Sequence, residues 1–184
     1  TLVAVNDALD LSVSPQYAFR QFFSRVNHPV HGPVLYPTVP YKLSETPARI
    51  TAAAPLLGQH TAEVLGALMG DNCRAAVAVP CVQATGTVRG GPLQGVRVVE
   101  LTKVWAGPYV GKLLAFLGAQ VIRVESAGSL DVTRTYGVAD INNAPGFQAV
   151  NPQKLSVQID MKTGEGIALI LDLLGKSDIV IENL

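Results

Sequence analysis

Residues 93–126, LQGVRVVELTKVWAGPYVGKLLAFLGAQVIRVES, constrain the fold more than any other part of the chain. Two apolar, β-branched runs, residues 96–101 and 120–124, read as strands. The segment between them has helical spacing and is bounded by Gly107-Pro108 on one side and Gly118 on the other. A connection of that length is too long for a hairpin and returns the second strand parallel to the first, with right-handed topology. The unit is therefore βαβ, an arrangement that holds nucleotide-like ligands outside the carboxyl ends of its strands.

The other 150 residues support a globular chain around this unit. Of 184 residues, 48% are apolar and only 15% charged, the balance of a protein with a substantial core. The formal net charge is zero, so broad attraction to nucleic acid or an anionic membrane is not expected, and phosphate binding must rest on local geometry. No apolar run reaches the roughly 20 residues of a membrane helix. The N-terminal TLVAVNDALDL lacks a basic region and a cleavage site, so the expected compartment is the cytoplasm. Cys73 and Cys81 form no CxxC and read as two reduced thiols.

In chain order, residues 3–11 read as a helix. Ser14 and Pro15 start a second one, which should run through Tyr17, Phe19 and Phe22. Residues 25–28 and 33–36 form a hairpin around His31-Gly32, and prolines 29, 33, 37, 40 and 47 then break the chain, leaving regular structure only at 41–43. A helix over 61–69 starts at Thr61 and carries Val64, Leu65 and Leu68 on one face. Residues 70–91 lose all periodicity and read as a linker. Beyond the βαβ unit, 127–143 is a polar loop, 155–160 an alternating strand, and 163–175 a helix capped by Thr163. The Ile-Val-Ile centre of 178–182 reads as a buried parallel strand. The class is α/β, with the strand ends placing Thr102–Gly107, Glu125–Ser129, Asp160–Thr163 and Asn183 on the ligand-facing rim.

Neither G-x-G-x-x-G nor G-x-x-x-x-G-K-[ST] occurs, which removes the usual dinucleotide and P-loop readings. The first crossover instead reads Trp105-Ala106-Gly107-Pro108. Its helix start offers free N–H groups to a phosphate or thioester, although the residues by themselves slightly favour a plain tight turn at Gly-Pro. His28, His31 and His60 share no metal-ligand spacing and suit surface or capping roles. No nucleophilic Ser or Cys motif is present. Glu125, Asp131, Asp140 and Asp160 are candidate carboxylates without evident pairing, Asp160 reading as a turn residue. Lys154 and Lys162 flank one strand, with solvation the ordinary state of both.

Several blocks together resemble the class III CoA-transferases, the carnitine dehydratase and bile-acid-inducible group. Residues 93–125 follow its N-terminal pattern L-x-G-x-R-V-x-[DE]-[LF]-[TS]-x-x-x-A-G-P…L-G-A-x-V-I-[KR]-[VI]-E. Ser129–Arg134, Lys154–Lys162 and Ser177–Asn183 continue the likeness in order. Ser14–Phe23, Asn27–Gly32 and the A-P-L-L-G-Q-H-T-A-E-V-L run at 54–65 resemble the late segments of the same family. The inverted order implies a tandem protein: residues 1–70 end a first CoA-transferase-like unit, 71–90 link, and 91–184 begin a second. Circular permutation is the alternative.

The resemblance implies a partial large domain, with a Rossmann-like parallel sheet flanked by helices and preceded by an irregular, Pro-rich α+β tail. It implies an acyl-CoA and a carboxylic acid as substrates, no metal, and an interlocked homodimer or paired tandem units. CoA contacts would fall on Val104, Trp105 and Ala106, on Ile159 and Lys162 near the adenine and phosphates, and on Asn183. Two positions depart from the family: Ser126 stands where an Arg can occur, and Gln153 and Leu155 replace the Asn and Arg of an N-K-R-S block. The Asp that forms the acyl-anhydride and aspartyl-CoA thioester intermediates falls after residue 182, so no catalytic residue is assigned here. An acyl-CoA racemase of the same fold and a non-catalytic scaffold unit are the competing implications.

Overall fold

The computed structural model describes residues 4–69 and 91–183. The linker expected at 71–90, with Cys73 and Cys81, lies outside the described residues. Two short helices open the chain, α1 (Ala8–Ser12) and α2 (Pro15–Phe19). The start of α1 follows from a capping box: Asp7 accepts from the Asp10 N–H, and Asp10 accepts from the Asp7 N–H. The expected helix at 3–11 therefore begins late. α2 stops before Phe22 because Gln21 takes a positive φ of 48° and turns the chain into a strand. The hairpin of β1 (Phe23–His28) and β2 (Gly32–Pro37) is longer than expected, with Gly32 at φ 67° in its turn. No strand forms at 41–43.

The second half is built on one parallel sheet. β3 (Arg97–Leu101), β4 (Gln120–Glu125), β5 (Leu155–Gln158) and β6 (Ile179–Glu182) lie in the order β5-β4-β3-β6. The crossovers contain α4 (Ala106–Phe116) between β3 and β4, and α7 (Gly164–Gly175) between β5 and β6. Two short helices, α5 (Val132–Thr135) and α6 (Pro145–Val150), occupy the stretch between β4 and β5. Alternation along the strands sorts the side chains. Val99, Ile122, Val124, Leu155 and Val157 pack on one face against Val64 and Leu68 of α3 (Thr61–Met69) and Ile170 and Leu173 of α7. Val98 and Val121 pack on the other, against Ala115 of α4.

β6 is parallel, as its sequence predicts; among the described residues it pairs with β3 alone, and Ile179 and Val180 are 36% and 48% exposed. The polar loop expected at 127–143 is instead pinned by α5, whose N-cap Asp131 accepts from the Thr133 N–H.

The N-terminal segment packs against the sheet domain. Val26, Tyr36, Val39 and Ile50 form a cluster with Phe116 of α4. Residues 51–61 then cover the edge of β5. The Gly58 N–H donates to Ser156 Oγ, the His60 N–H to the Ser156 carbonyl, the Ser156 N–H to His60 Nδ1, and the Gln158 N–H to Thr61 Oγ1. These bonds use backbone groups that an open sheet edge leaves unpaired. His60 thus caps a strand edge and not its own helix.

That role makes His60 pH-sensitive. Burial lowers its pKa below the ordinary 6.5, against the opposing charge of Glu63. The folded chain refuses a proton that the unfolded chain accepts, so this contribution to stability is complete above pH 6.5 and is lost as the pH falls below it. His28 is held low by burial and by His31, and it acts in the same direction. His60→Asn keeps an acceptor for the Ser156 N–H without titrating. Urea midpoints at pH 7.5 and 5.0 should show a smaller acid loss in His60→Asn than in the wild type; equal losses would refute the assignment.

Candidate functional site

Strand order locates the site. The chain leaves β3 towards β4 and β5, then returns on the other side of β3 as β6, so the topological switch point lies between β3 and β6. In open parallel sheets the ligand crevice forms there, at the carboxyl ends. The turn of residues 102–106 follows β3 and Asn183 follows β6, so both stand at that point of the sheet. Asn183 Oδ1 accepts from the Lys103 N–H at 2.8 Å and its Nδ2 donates to the Lys103 carbonyl at 3.0 Å, so its side chain holds both backbone polar groups of one residue of the turn.

Within the turn, Val104 has φ 69°. A β-branched residue in the left-handed region is a true outlier that costs on the order of 1–3 kcal/mol. Its N–H donates to both oxygens of Asp131, at 3.2 and 3.1 Å. A hydrogen bond to a charged, buried acceptor is worth about 1.5–3 kcal/mol, enough to offset that strain. Trp105 follows as the N-cap of α4 without any side-chain cap, and Ala106 and Gly107 open the helix. A Cβ on Gly107 would stand 2.5 Å from Thr102 Cβ and 3.1 Å from Asn183 Cγ, so glycine is required where α4 crosses its own strand. Val104 and Trp105 are 43% and 54% exposed.

Below the turn the sheet carries charge where apolar residues would be usual. Glu100, Arg123 and Glu125 point to the α4 face and are buried with Asp131, Arg134 and Lys154. Arg123 donates from Nη1 to Glu100 Oε1 at 2.6 Å and from Nη2 to Asp131 Oδ2 at 2.5 Å. Its Nε stands 3.6 Å from Glu125 without a hydrogen bond. Burial pushes the Arg123 pKa down, but Glu100, Glu125 and Asp131 outweigh it and the net shift is upward. Arg134 binds both oxygens of Glu125, lies 3.4 Å above the Phe147 ring centroid, and reaches Asn142 and the carbonyls of Ile141 and Pro55. Lys154 Nζ donates to both Glu100 oxygens, to Asn151 and to the Pro108 carbonyl. Burial pulls its pKa down to about 8 against the pull of Glu100, so it stays protonated at neutral pH. Three acids and three bases balance.

This network corrects two sequence-based expectations. Glu125 and Asp131 do have partners, both meeting Arg123, and Lys154 is not solvated but 2% exposed. Of the residues proposed for ligand contact, Val104, Trp105 and Ala106 form one turn, and Asn183 is joined to it. The loop after β5 reaches the same end of the sheet through Met161, which lines a recess of about 10 Å³ with Leu101, Thr102, Lys103, Ser129 and Asp131. That is room for about one water. Lys162 is exposed there, its N–H donating to Asp160 Oδ1, which makes Asp160 the turn residue expected. The Ile159 side chain faces the core at 4% exposure. Leu155 is likewise in the core, so an Arg in its place has no direct path to the rim. Lys103, within the expected rim, donates from Nζ to Ser129 Oγ at 2.6 Å. Sequence reasoning passed over Glu100 and Arg123. The available signal was a charge inside each β-branched run. Among the described residues no group of three His, Cys, Asp or Glu side chains stands close enough to hold a metal, and no helix is long and apolar enough to cross a membrane.

A parallel α/β sheet with its rim at a β3/β6 switch point defines a ligand-binding domain of Rossmann-like type. The chain belongs to CoA-transferase family III, which matches residues 2–61 and 93–184. It is 43% identical over 102 residues to the succinate–glutarate CoA-transferase of Agrobacterium fabrum, a match that takes in 52% of this chain and 26% of that protein. Over 93 residues it is 38% identical to human succinyl-CoA:glutarate CoA-transferase, covering 50% of this chain and 21% of that one. Among solved structures, a CAIB/BAIF family protein from Brucella suis is 44% identical with a TM-score of 0.48, covering 52% and 26%. The chain thus spans about a quarter of the length of the relatives it matches.

Proposed function

We propose that this chain supplies a CoA-binding rim to a cytoplasmic CoA-transferase, which moves CoA between carboxylic acids through a covalent aspartyl intermediate. Val104, Trp105, Ala106, Lys162 and Asn183 contact the CoA ester, with Ile159 contributing backbone, and the reacting Asp lies outside these residues. The observation that carries this reading is the uncapped, open start of α4 at the switch point of a family III chain. Residues 1–70 are the C-terminal segment of a first unit, 71–90 a linker and 91–184 the N-terminal half of a second, in keeping with a family match that falls in two blocks. Paired tandem units or an interlocked homodimer complete the enzyme.

Trp105 is the single tryptophan of the chain and half exposed, so it reports on its own site. Titration with CoA should shift its emission with a Kd in the micromolar range, on the order of −8 kcal/mol. Unchanged emission and no heat at millimolar CoA would leave a scaffold unit instead. In the parent protein, replacing the reacting Asp by Ala should abolish CoA exchange. Exchange at the normal rate would remove the covalent mechanism, and deuterium entering the α-position without exchange would identify a racemase.

A further inference from the structure

We propose that Asp131 is a positioning residue for the rim: its buried carboxylate holds the Val104 N–H and so keeps the turn of residues 102–106 in its ligand-ready shape. The effect on CoA rests on the function proposed above, whereas the hold on the turn does not.

Asp131 is itself fixed from two other directions. Arg123 Nη2 donates to Oδ2 and the Thr133 N–H to Oδ1, and the residue is 1% exposed. Its oxygens are thus immobile when they meet the Val104 N–H. The turn needs an external hold, because Val104 sits at φ 69° where its Cβ is disfavoured. Its neighbour Lys103 is gripped separately, by the Asn183 amide and through Nζ by Ser129. Without the carboxylate Val104 relaxes to negative φ and carries Trp105 and Ala106, the start of α4, away from the crevice. The buried charge network therefore reaches the exposed part of the turn through the Val104 N–H, as it reaches Thr102 through Arg123 and Pro108 through Lys154. No role in bond making is assigned to Asp131.

Asp131→Asn tests this with little change in shape. Its single oxygen can face either Arg123 or the two backbone N–H groups, and its NH2 then opposes donors on the remaining side. Three readouts apply. The Val104 amide should exchange slowly in the wild type and at least about tenfold faster in Asp131→Asn, beyond the change seen for β4 amides. An equal change at both places would mean a fold effect only and overturn the proposal. The CoA Kd should weaken by about tenfold, and that ratio should fall below about threefold when both proteins also carry Val104→Gly, since glycine needs no hold at positive φ. An unchanged ratio overturns the proposal. Should Asp131→Asn not fold, Val104→Gly alone still decides. It raises the urea midpoint if Val104 is held under strain, and a lowered midpoint refutes the idea. A wild type that binds no CoA removes the functional reading, while amide exchange and the Val104→Gly midpoint still judge Asp131.

Discussion

Arg123→Met is expected to lower the unfolding free energy by about 3–5 kcal/mol, the range found when one partner of a buried ion pair is removed. Against a total of about 5–15 kcal/mol, that brings the chain close to unfolding. Charge and not volume is the cause. Met fills much of the space, but Glu100, Glu125 and Asp131 are left with Lys154 and Arg134 alone, one negative charge in excess inside the protein. A pH series separates the two effects. An orphaned buried carboxylate takes a proton more readily in the folded state than in the unfolded one. Acid therefore stabilises the folded variant, and the deficit relative to wild type should shrink from pH 7.5 to pH 5.5. A deficit that does not change with pH would mean a packing defect. Arg123→Lys should rescue little, because one ammonium cannot replace two guanidinium nitrogens that serve different carboxylates.

The part of this molecule that was legible in its sequence is the part made by local pattern. Residues 96–101 and 120–124 were readable as strands because β-branched runs and the flanking glycines act over a few residues, and β3 and β4 lie there. Thr163 was readable as a cap, and its Oγ1 accepts from the Gly166 N–H. α6 has no counterpart in the sequence reading, although Pro145 suits the first turn of a helix. Local pattern reads Lys154 as solvated because the Glu100 it binds lies 54 positions away. The strand order, and with it the switch point, depends on non-local pairing that no local pattern records. The motif blocks carried the family and the turn at Val104 to Ala106. They included Asp131 but not φ at Val104 or the bond between the two, since both arise only when the loop after β4 folds over the end of β3.

Gly111→Ala should reverse the usual sign of such a change. In the interior of a helix, alanine is favoured over glycine by about 0.5–1 kcal/mol. Gly66 in α3 should follow that rule, because a Cβ there meets nothing within 4 Å. In α4 a Cβ on Gly111 would overlap the Glu100 carboxylate and come within 3.1 Å of Lys154 Nζ. Glu100 cannot swing away freely, being held by Arg123 and Lys154 at 2.6 and 2.7 Å. Either α4 moves off the sheet or the ion pairs open. Overpacking alone costs about 1–3 kcal/mol, and opening a buried pair adds to it. The expected net loss is therefore about 3 kcal/mol, against a gain of under ~1 kcal/mol for Gly66→Ala. The same displacement moves the start of α4, so the CoA contact proposed for Trp105 should weaken in Gly111→Ala and not in Gly66→Ala. Urea denaturation of both variants, with Trp105 emission as the second readout, checks both statements. Equal behaviour of the two glycines would show that α4 does not rest on the charge network. The unit's rim would then be independent of the buried charges beneath it.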